Sequence, residues 1–142
     1  MEKKLMTKKK NIFATGKRKK AIARAIITEG KGMVRINAVP LDNIMPRYKR
    51  MRMQEPIVLA GDIAATVDID VLVTGGGIWG QGNAARTAIG NALVEWTKDK
   101  KLKELYSEYD RSILVSDARR TEPHKPSRSK DGPRASKQQS KR

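Results

Sequence analysis

The sequence predicts one domain of mixed strands and helices, followed by a long extended tail. Two segments, 22–27 and 67–73, alternate in the manner of a β-strand with one buried face. A third segment, 83–98, repeats its apolar residues with the period of an amphipathic helix. The 26 residues from Asp117 onward contain no Leu, Ile, Val, Phe, Met, Tyr or Trp. The hydrophobic core is therefore expected to end before residue 117.

The N-terminal half of the domain is predicted to form a hairpin. Residues 22–27 form its first strand, and the four consecutive cations at 17–20 come just before it. Gly16 precedes these cations and predicts a bulge or a close approach of two backbones. Glu29–Gly32 is a turn, after which Met33–Ile36 is expected to pair with the first strand.

The middle of the chain is predicted to hold a short helical turn at Leu41–Ile44 and a partly helical stretch at 54–65. The strand at 67–73 follows, with its valines and Ile69 inward and Asp68 and Asp70 outward. Two outward carboxylates resemble an acid/base pair or a metal site. Their alternation with buried residues is better explained by a strand whose outer face is exposed to solvent.

The predicted helix 83–98 presents one apolar stripe. Its members are Ala85, Ala88, Ile89, Ala92, Leu93 and Trp96. Arg86, Gly90 and Asn91 lie off this stripe. Leu102, Leu105, Tyr106 and Tyr109 then predict a further short helix, and Arg111–Ser116 is apolar enough to anchor the chain before the tail.

The charge is concentrated at the two ends of the chain. The formal net charge is +16. Residues 1–24 carry ten Lys and Arg against one acidic residue, and residues 117–142 carry nine against three. Residues 25–116 are almost balanced, with twelve basic and eleven acidic side chains. A near-neutral domain with two basic ends predicts a polyanionic partner, and nucleic acid in particular.

The sequence is expected to divide into three parts. We predict a basic flexible segment at residues 1–11, a globular RNA-binding domain at 12–116 and an extended basic tail at 117–142. The tail cannot fold alone because it has no large apolar side chain to offset the entropy of ordering it. Its three prolines keep it extended, and its cations are spaced so that it can become ordered between phosphate backbones.

Other classes of protein are disfavoured by composition. Cysteine is absent, which excludes disulfides, thiolate metal sites and a cysteine nucleophile. The one histidine, His124, lies in the tail without a metal-binding neighbour. No apolar run is long enough for a signal peptide or a membrane helix. We therefore expect a cytoplasmic protein that is not an enzyme, with no metal, cofactor, membrane or small-molecule substrate.

A glycine-rich loop, 75–82, separates the strand at 67–73 from the predicted helix. Strand, glycine loop and helix can place backbone N–H groups against a phosphate. The spacing Gly75-x-Gly77-x-x-Gly80 matches the dinucleotide fingerprint literally. The required second parallel strand with its acidic ribose ligand is missing, as is a Walker A Lys-Ser or Lys-Thr pair. Close approach of an RNA backbone is the better interpretation.

One basic patch, Arg47–Arg52, lies inside the otherwise neutral middle of the chain and contains Tyr48. Tyr48 is as compatible with stacking on a base as with covering the core. Trp79 in the glycine loop presents the same alternative, and the core is slightly favoured.

Several of these motifs together resemble the ribosomal protein S9 family of the small subunit, in its archaeal and eukaryotic branch. They are Thr15–Lys19, the glycine block from Gly75 through Gln81 to Arg86, Asp117–Glu122, and the terminal Ser140–Arg142. The similarity runs from about Ile12 to the last residue.

The resemblance implies an α+β fold, a two-layer domain of the ribosomal S5-domain-2-like type, in the head of the small subunit. It implies small-subunit rRNA, neighbouring head proteins and P-site tRNA as partners, with the tail reaching the tRNA anticodon stem-loop. By position, the implied tRNA contacts are Lys141 and Arg142. The implied rRNA contacts are Lys17, Arg18, Lys19, Arg86, Arg119 and Arg120.

Charge and loop geometry extend the predicted rRNA contacts. The added residues are Lys20, Arg47, Lys49, Arg50, Arg52, Gly76, Gly77, Gln81, Lys125, Arg128 and Arg134. Two alternatives remain open at the level of sequence. One is a chromatin-type protein that compacts nucleic acid with its arms, and the other is a nucleotide-binding enzyme that uses the glycine loop.

Overall fold

The computed structural model describes residues 10–124, which form one sheet and three α-helices. The strands are β1 (Ile12–Arg18), β2 (Ala21–Glu29), β3 (Val34–Ile36), β4 (Val39–Pro40) and β5 (Val67–Thr74). The helices are α1 (Arg47–Ala60), α2 (Ile78–Thr97) and α3 (Lys100–Tyr109). Short 3₁₀ turns occupy Leu41–Asn43, Gly61–Thr66 and Arg111–Ile113.

The five strands lie in the order β1-β2-β5-β3-β4. β1 and β2 form an antiparallel hairpin in which Arg18 pairs with Ala21, so that Lys19 and Lys20 form its turn. β2 is antiparallel to β5, and β3 is parallel to β5. The prediction that Met33–Ile36 pairs with the strand at 22–27 is therefore wrong, because β5 lies between them. The first strand of the sheet, β1, was also missed, since only its partner was predicted.

The helices cover one face of the sheet, which confirms the expected α+β two-layer domain. α2 packs against β1 and β2, α1 packs on α2, and α3 contacts both of these helices. The helix–sheet contact uses small residues on both sides, and the strand at 67–73 faces inward as predicted. The buried members are Ala14, Gly16, Ala23 and Ala25 of the sheet and Ala84, Ala85, Ala88 and Ala92 of α2. Small side chains let the two layers approach closely.

Gly16 shows why this approach needs glycine. A Cβ atom at Gly16 would lie 2.6 Å from the backbone N of Ala88 and would also overlap the carbonyl O of Ala84. The predicted close approach of two backbones at Gly16 is confirmed.

Two helices begin earlier than predicted. α2 begins at Ile78 rather than at 83, so Gly80 and Gly82 lie within its first turns. Gly82 packs against α1, where its Cβ position is 3.4 Å from Cγ of Lys49. α1 begins at Arg47, so the basic patch Arg47–Arg52 is helical. In both cases the contact between the two helix N-termini outweighs the local preference for a loop.

The C-terminal part of the domain follows the prediction. α3 buries Leu102 and Tyr106, and the Tyr106 hydroxyl donates to the carbonyl O of Pro56 at 2.6 Å. Burial raises the pKa of Tyr106 above its ordinary value. Ile113 is fully buried and holds the chain against α2 before the tail departs.

Candidate nucleic-acid interface

The β1–β2 hairpin presents three lysines, Lys17 near the end of β1 and Lys19 and Lys20 in its turn. The side chains of Lys17, Lys19 and Lys20 are exposed and make no hydrogen bond or ion pair with other residues of the 10–124 region. Lys19 adopts a positive φ of 53°, which closes the tight turn. The pairing of β1 with β2 continues up to Arg18 and Ala21. This pairing holds the turn at one end of the sheet, on its edge strand. The three ammonium groups can therefore meet phosphates without first breaking internal contacts.

The glycine loop lies directly against this turn. Gly75 and Gly76 have φ values of 73° and 68°, which are strained for any residue with a Cβ. A Cβ at Gly75 would lie 2.6 Å from the carbonyl O of Lys20, and one at Gly76 would lie 2.9 Å from Cβ of Ala21. Glycine is thus required both for the loop conformation and for its contact with the hairpin.

The N-terminus of α2 opens from the same loop. Gly77 is its N-cap and supplies no side chain to the unpaired N–H groups of the first turn. Nothing lies within 4 Å of the Cβ position of Gly77, so the space beside this residue is open. The positive end of the helix dipole adds to their attraction for an anion.

Polar contacts tie the basic patch on α1 to this end of α2. Lys49 Nζ donates to Oε1 of Gln81 at 3.2 Å, and Gln81 Nε2 donates to the carbonyl O of Gly75 at 3.2 Å. Arg52 Nε donates to Oδ1 of Asn83 at 3.1 Å. Asn83 was missed at the level of sequence, because no charge or motif distinguishes it. Arg50 donates to the carbonyl O of Asp42 at 2.6 Å, and Arg47 is exposed.

The root of the tail joins the hairpin through Asp117. Its carboxylate accepts hydrogen bonds from the Arg119 side chain at 2.7 to 3.1 Å and lies 3.5 Å from the Arg18 guanidinium. The hydrogen bonds from the Arg119 side chain and backbone, together with the charge of Arg18, hold the pKa of Asp117 far below its usual range. Arg119 and Arg120 remain exposed. The tail thus leaves the domain beside the hairpin lysines.

These segments are distant in sequence but share one end of the molecule. A cleft of about 150 Å³ lies where they meet. Its lining residues are Arg18 of β1, Arg52 of α1, Asn83, Arg86 and Thr87 of α2, Ser112, and Asp117 and Arg119 of the tail root. We call the cations around this cleft that keep some solvent exposure, together with the glycine-loop residues beside them, the basic surface. Its members are Lys17, Arg18, Lys19, Lys20, Arg47, Lys49, Arg50, Arg52, Gly76, Gly77, Gln81, Arg119 and Arg120.

Arg86 lines this cleft, but it is buried and is therefore not one of the exposed cations of the basic surface. Its side chain is only 2 % exposed, although it lies off the predicted apolar stripe of α2. A second face of this helix is therefore buried as well. Its guanidinium contacts Glu55 Oε2 at 2.6 Å, Asp110 Oδ2 at 3.0 Å and Ser112 Oγ at 2.7 Å. Burial raises the pKa of Asp110, but hydrogen bonds from Ser112 and Arg86 outweigh it and lower the pKa overall. Arg86 connects α1, α2 and the segment after α3.

The two aromatic residues near the basic surface stack on each other. The ring centroids of Tyr48 and Trp79 are 4.5 Å apart and their planes meet at 22°. Tyr48 is 45 % exposed and Trp79 is 56 % exposed. The preference for Trp79 in the core is therefore wrong.

The outward carboxylates of β5 have structural partners, as expected of residues on the solvent face of a sheet. Asp68 accepts from the backbone N–H groups of Lys31 and Met33, both at 2.9 Å. The bond from Met33, then that from Lys31, lowers the pKa of Asp68. Asp70 forms an ion pair with Arg35 at 2.9 Å. No group of three or more His, Asp or Glu in residues 10–124 is arranged to hold a metal ion.

The remaining predicted contacts lie outside the described residues. They are Lys125, Arg128, Arg134, Lys141 and Arg142. Within the part of the chain that the structure describes, no helix is both long and apolar enough to span a bilayer.

Comparison with known proteins decides the family. The model of the family described as ribosomal protein S9/S16 matches residues 16–142. This chain belongs to that family. A small ribosomal subunit protein uS9 of Methanococcus vannielii is 54 % identical over 131 residues, which cover 92 % of this chain and 98 % of the relative. A uS9 of Methanothrix thermoacetophila is 52 % identical over 116 residues, covering 82 % of this chain and 88 % of the relative.

Membership in the S9/S16 family confirms the resemblance drawn from the sequence motifs. It also confirms a structural, RNA-binding protein of translation rather than an enzyme. The interpretation of the glycine loop as part of a nucleotide-binding enzyme is therefore wrong.

Proposed function

We propose that this chain is a structural constituent of the small ribosomal subunit that holds small-subunit rRNA in the head through its basic surface. Residues 12–116 form the RNA-binding domain, and residues 1–11 and 117–142 are basic extensions of it. The observation that carries this proposal is the convergence of the hairpin, α1, α2 and the tail root around one cleft. The names of the uS9 relatives support the choice of subunit.

The basic surface combines two kinds of phosphate ligand. Lys17, Lys19 and Lys20 are point charges on flexible side chains, which gain affinity by releasing counterions condensed on the RNA backbone. The N-terminus of α2 offers fixed backbone N–H donors behind Gly76 and Gly77. Flexible charges tolerate variation in the RNA path, whereas the fixed donors define one position for a phosphate.

Within this proposal, the rRNA contacts are the members of the basic surface together with Lys125, Arg128 and Arg134 of the tail. Arg86 is left out because its guanidinium already has three partners inside the protein.

The tail provides the finer part of the proposal, contact with P-site tRNA. Asp117 directs the tail root past Arg18, toward the same RNA that the hairpin contacts. From there, residues 118–142 reach on the order of 80 Å when fully extended, at about 3.3 Å per residue. We propose that Lys141 and Arg142 contact phosphates of the tRNA anticodon stem-loop, as the family resemblance implies.

Sedimentation of tagged protein tests the rRNA contacts. We expect the protein to remain with the small subunit on a sucrose gradient at about 0.5 M salt, which disrupts weak phosphate binding. Replacing Lys17, Lys19 and Lys20 together by Ala should move it toward the top fractions. The matched control replaces Lys100, Lys101 and Lys103 of α3, which removes the same charge beyond the far end of the 20-residue α2. Equal retention of both variants would contradict the proposed surface.

Deletion of Lys141 and Arg142 tests the tRNA contact separately. We expect normal incorporation into the small subunit and weaker retention of P-site tRNA in a filter-binding assay. Unchanged tRNA retention in subunits that contain the shortened protein would leave only the rRNA-binding role.

A further inference from the structure

Two of the six aromatic side chains in this protein stack on each other at its surface. Tyr48 is the second residue of α1 and Trp79 is the second residue of α2, so their contact joins the N-terminal turns of both helices. Trp79 is more than half exposed. Tryptophan has the largest apolar side chain, and here much of that apolar area is not buried within the protein. Exposed aromatic area of this kind indicates a binding role.

The surroundings of the pair suit a flat apolar group. A cleft of about 480 Å³ is lined by Tyr48, Met51, Arg52, Glu55, Trp79 and Asn83. Met51 is more than half exposed and extends the apolar area beside Tyr48. The acidic residue of the cleft, Glu55, is paired with Arg52 at 3.2 Å and with Arg86 at 2.6 Å. Its charge is therefore compensated within the protein.

The charge around the pair suits a phosphate next to that flat group. Arg47 precedes Tyr48 and is exposed, and Lys49 follows it. Neither α1 nor α2 has a side-chain cap on its first-turn N–H groups, and neither carries an acidic residue in that turn. Positive helix ends and cations thus flank exposed aromatic faces.

We infer that the Tyr48–Trp79 pair is a stacking platform for one unpaired nucleobase of the RNA held by the basic surface. This inference rests on the proposed function. A nucleotide is the ligand that joins a planar apolar ring to a phosphate, and every base has a face that can stack. The base packs on the exposed face of Trp79 or Tyr48, while its phosphate meets Arg47 or the N-terminus of α2. The inward stack between the two rings holds the platform rigid.

RNA hairpins with a single bulged nucleotide test this directly. The first probe carries a bulged adenine, and the second carries an abasic residue at the same position, so the two have equal numbers of phosphates. We expect about tenfold tighter binding of the adenine probe, within the range that one stacked base provides. Tyr48→Ala and Trp79→Ala should each reduce this preference while still binding the abasic probe. Tyr109→Ala is the matched control, because Tyr109 is 57 % exposed but lies at the end of α3.

Fluorescence at saturating probe supplies a second readout, which reports contact with Trp79 rather than affinity. The protein has two tryptophans, so Trp96→Phe leaves Trp79 as the only one. We expect the adenine probe to quench Trp79 and the abasic probe to leave its emission almost unchanged.

Equal affinities for the two probes, with no difference in quenching, would overturn the stacking platform and leave the basic surface intact. Failure of the unmodified protein to bind either probe would overturn the proposed function, and the platform with it.

Discussion

At the scale of single residues, burial and partners decide what a basic side chain does. Lys19 and Arg86 are both cations near the glycine loop, Lys19 in the hairpin turn and Arg86 in α2. The Lys19 side chain lies in an exposed turn without a partner in residues 10–124, so it is available to contact a phosphate. Arg86 is 2 % exposed and forms ion pairs with Glu55 and Asp110, so it contributes to the stability of the fold. Charge alone does not distinguish the two roles.

Arg86→Ala is expected to destabilise the protein strongly. Loss of the guanidinium leaves Glu55 and Asp110 without their main partner in a partly desolvated site. The free energy of unfolding should fall by about 2–4 kcal/mol, below the maximum for a buried pair because both carboxylates are partly exposed. Denaturant unfolding followed by circular dichroism measures this change.

The matched control for Arg86 is Arg24→Ala, which removes an exposed arginine of β2. Its effect should stay within about 0.5 kcal/mol. Similar losses from both substitutions would show that the ion pairs of Arg86 add little to stability.

At the scale of elements, the contact between β1 and α2 organises the domain. Gly16 and the alanines of α2 bring the edge strand and the longest helix close together. The hairpin turn lies at the end of β1 and the glycine loop at the start of α2, so the same contact places both parts of the basic surface side by side. The packing of one helix on one strand thus positions the lysines opposite the helix N-terminus.

Gly16→Ala is expected to separate this pair of elements. Its Cβ would meet backbone atoms of Ala84 and Ala88, which cannot move away as a flexible side chain can. We expect a loss of about 3 kcal/mol, at the upper end for overpacking, measured as a lower midpoint of thermal unfolding.

Gly77→Ala provides the control for Gly16 because it adds the same methyl group where nothing lies within 4 Å and φ is −104°. It should cost less than about 1 kcal/mol. A Gly16→Ala protein as stable as the Gly77→Ala protein would disprove the close packing of β1 on α2.

At the scale of the whole molecule, the basic surface lies at one end of a nearly neutral domain. The 25–116 region is close to balanced, whereas both terminal regions are strongly basic. The ion pair between Arg18 and Asp117 brings the C-terminal region to the hairpin. Association with RNA should consequently depend steeply on salt.

The salt dependence of RNA binding measures this arrangement. For the purified protein and a fully paired RNA hairpin, log K should fall linearly with log salt concentration. Replacing Lys17, Lys19 and Lys20 by Ala should reduce the slope by about three, one for each phosphate that is no longer neutralised. The α3 triple variant at Lys100, Lys101 and Lys103 should leave the slope nearly unchanged. Equal slopes for both triple variants would mean that binding follows net charge alone.

Some features of the fold and the positive charge of the candidate interface were predictable from the sequence, because they depend on residues that are close together in the chain. Strict alternation in β5 predicted both of its faces, including outward Asp68 and Asp70. Within residues 10–124 the last buried core residue is Ile113, in keeping with the lack of large apolar residues after Val115. The density of Lys and Arg predicted the kind of partner. The glycine block and tail motifs were enough to identify the family.

The sequence by itself thus determined the inward face of β5, the kind of partner and the family, since local periodicity, charge density and short motifs are visible along the chain. Only the tertiary structure decided which distant residues meet. It inserted β5 between β2 and β3, buried Arg86 among carboxylates 24 to 31 residues away, and stacked Tyr48 on Trp79. These outcomes depend on the path of the chain through α1 and back to the sheet. Such contacts are stabilised only when two distant segments pack together, so neither segment alone predicts them.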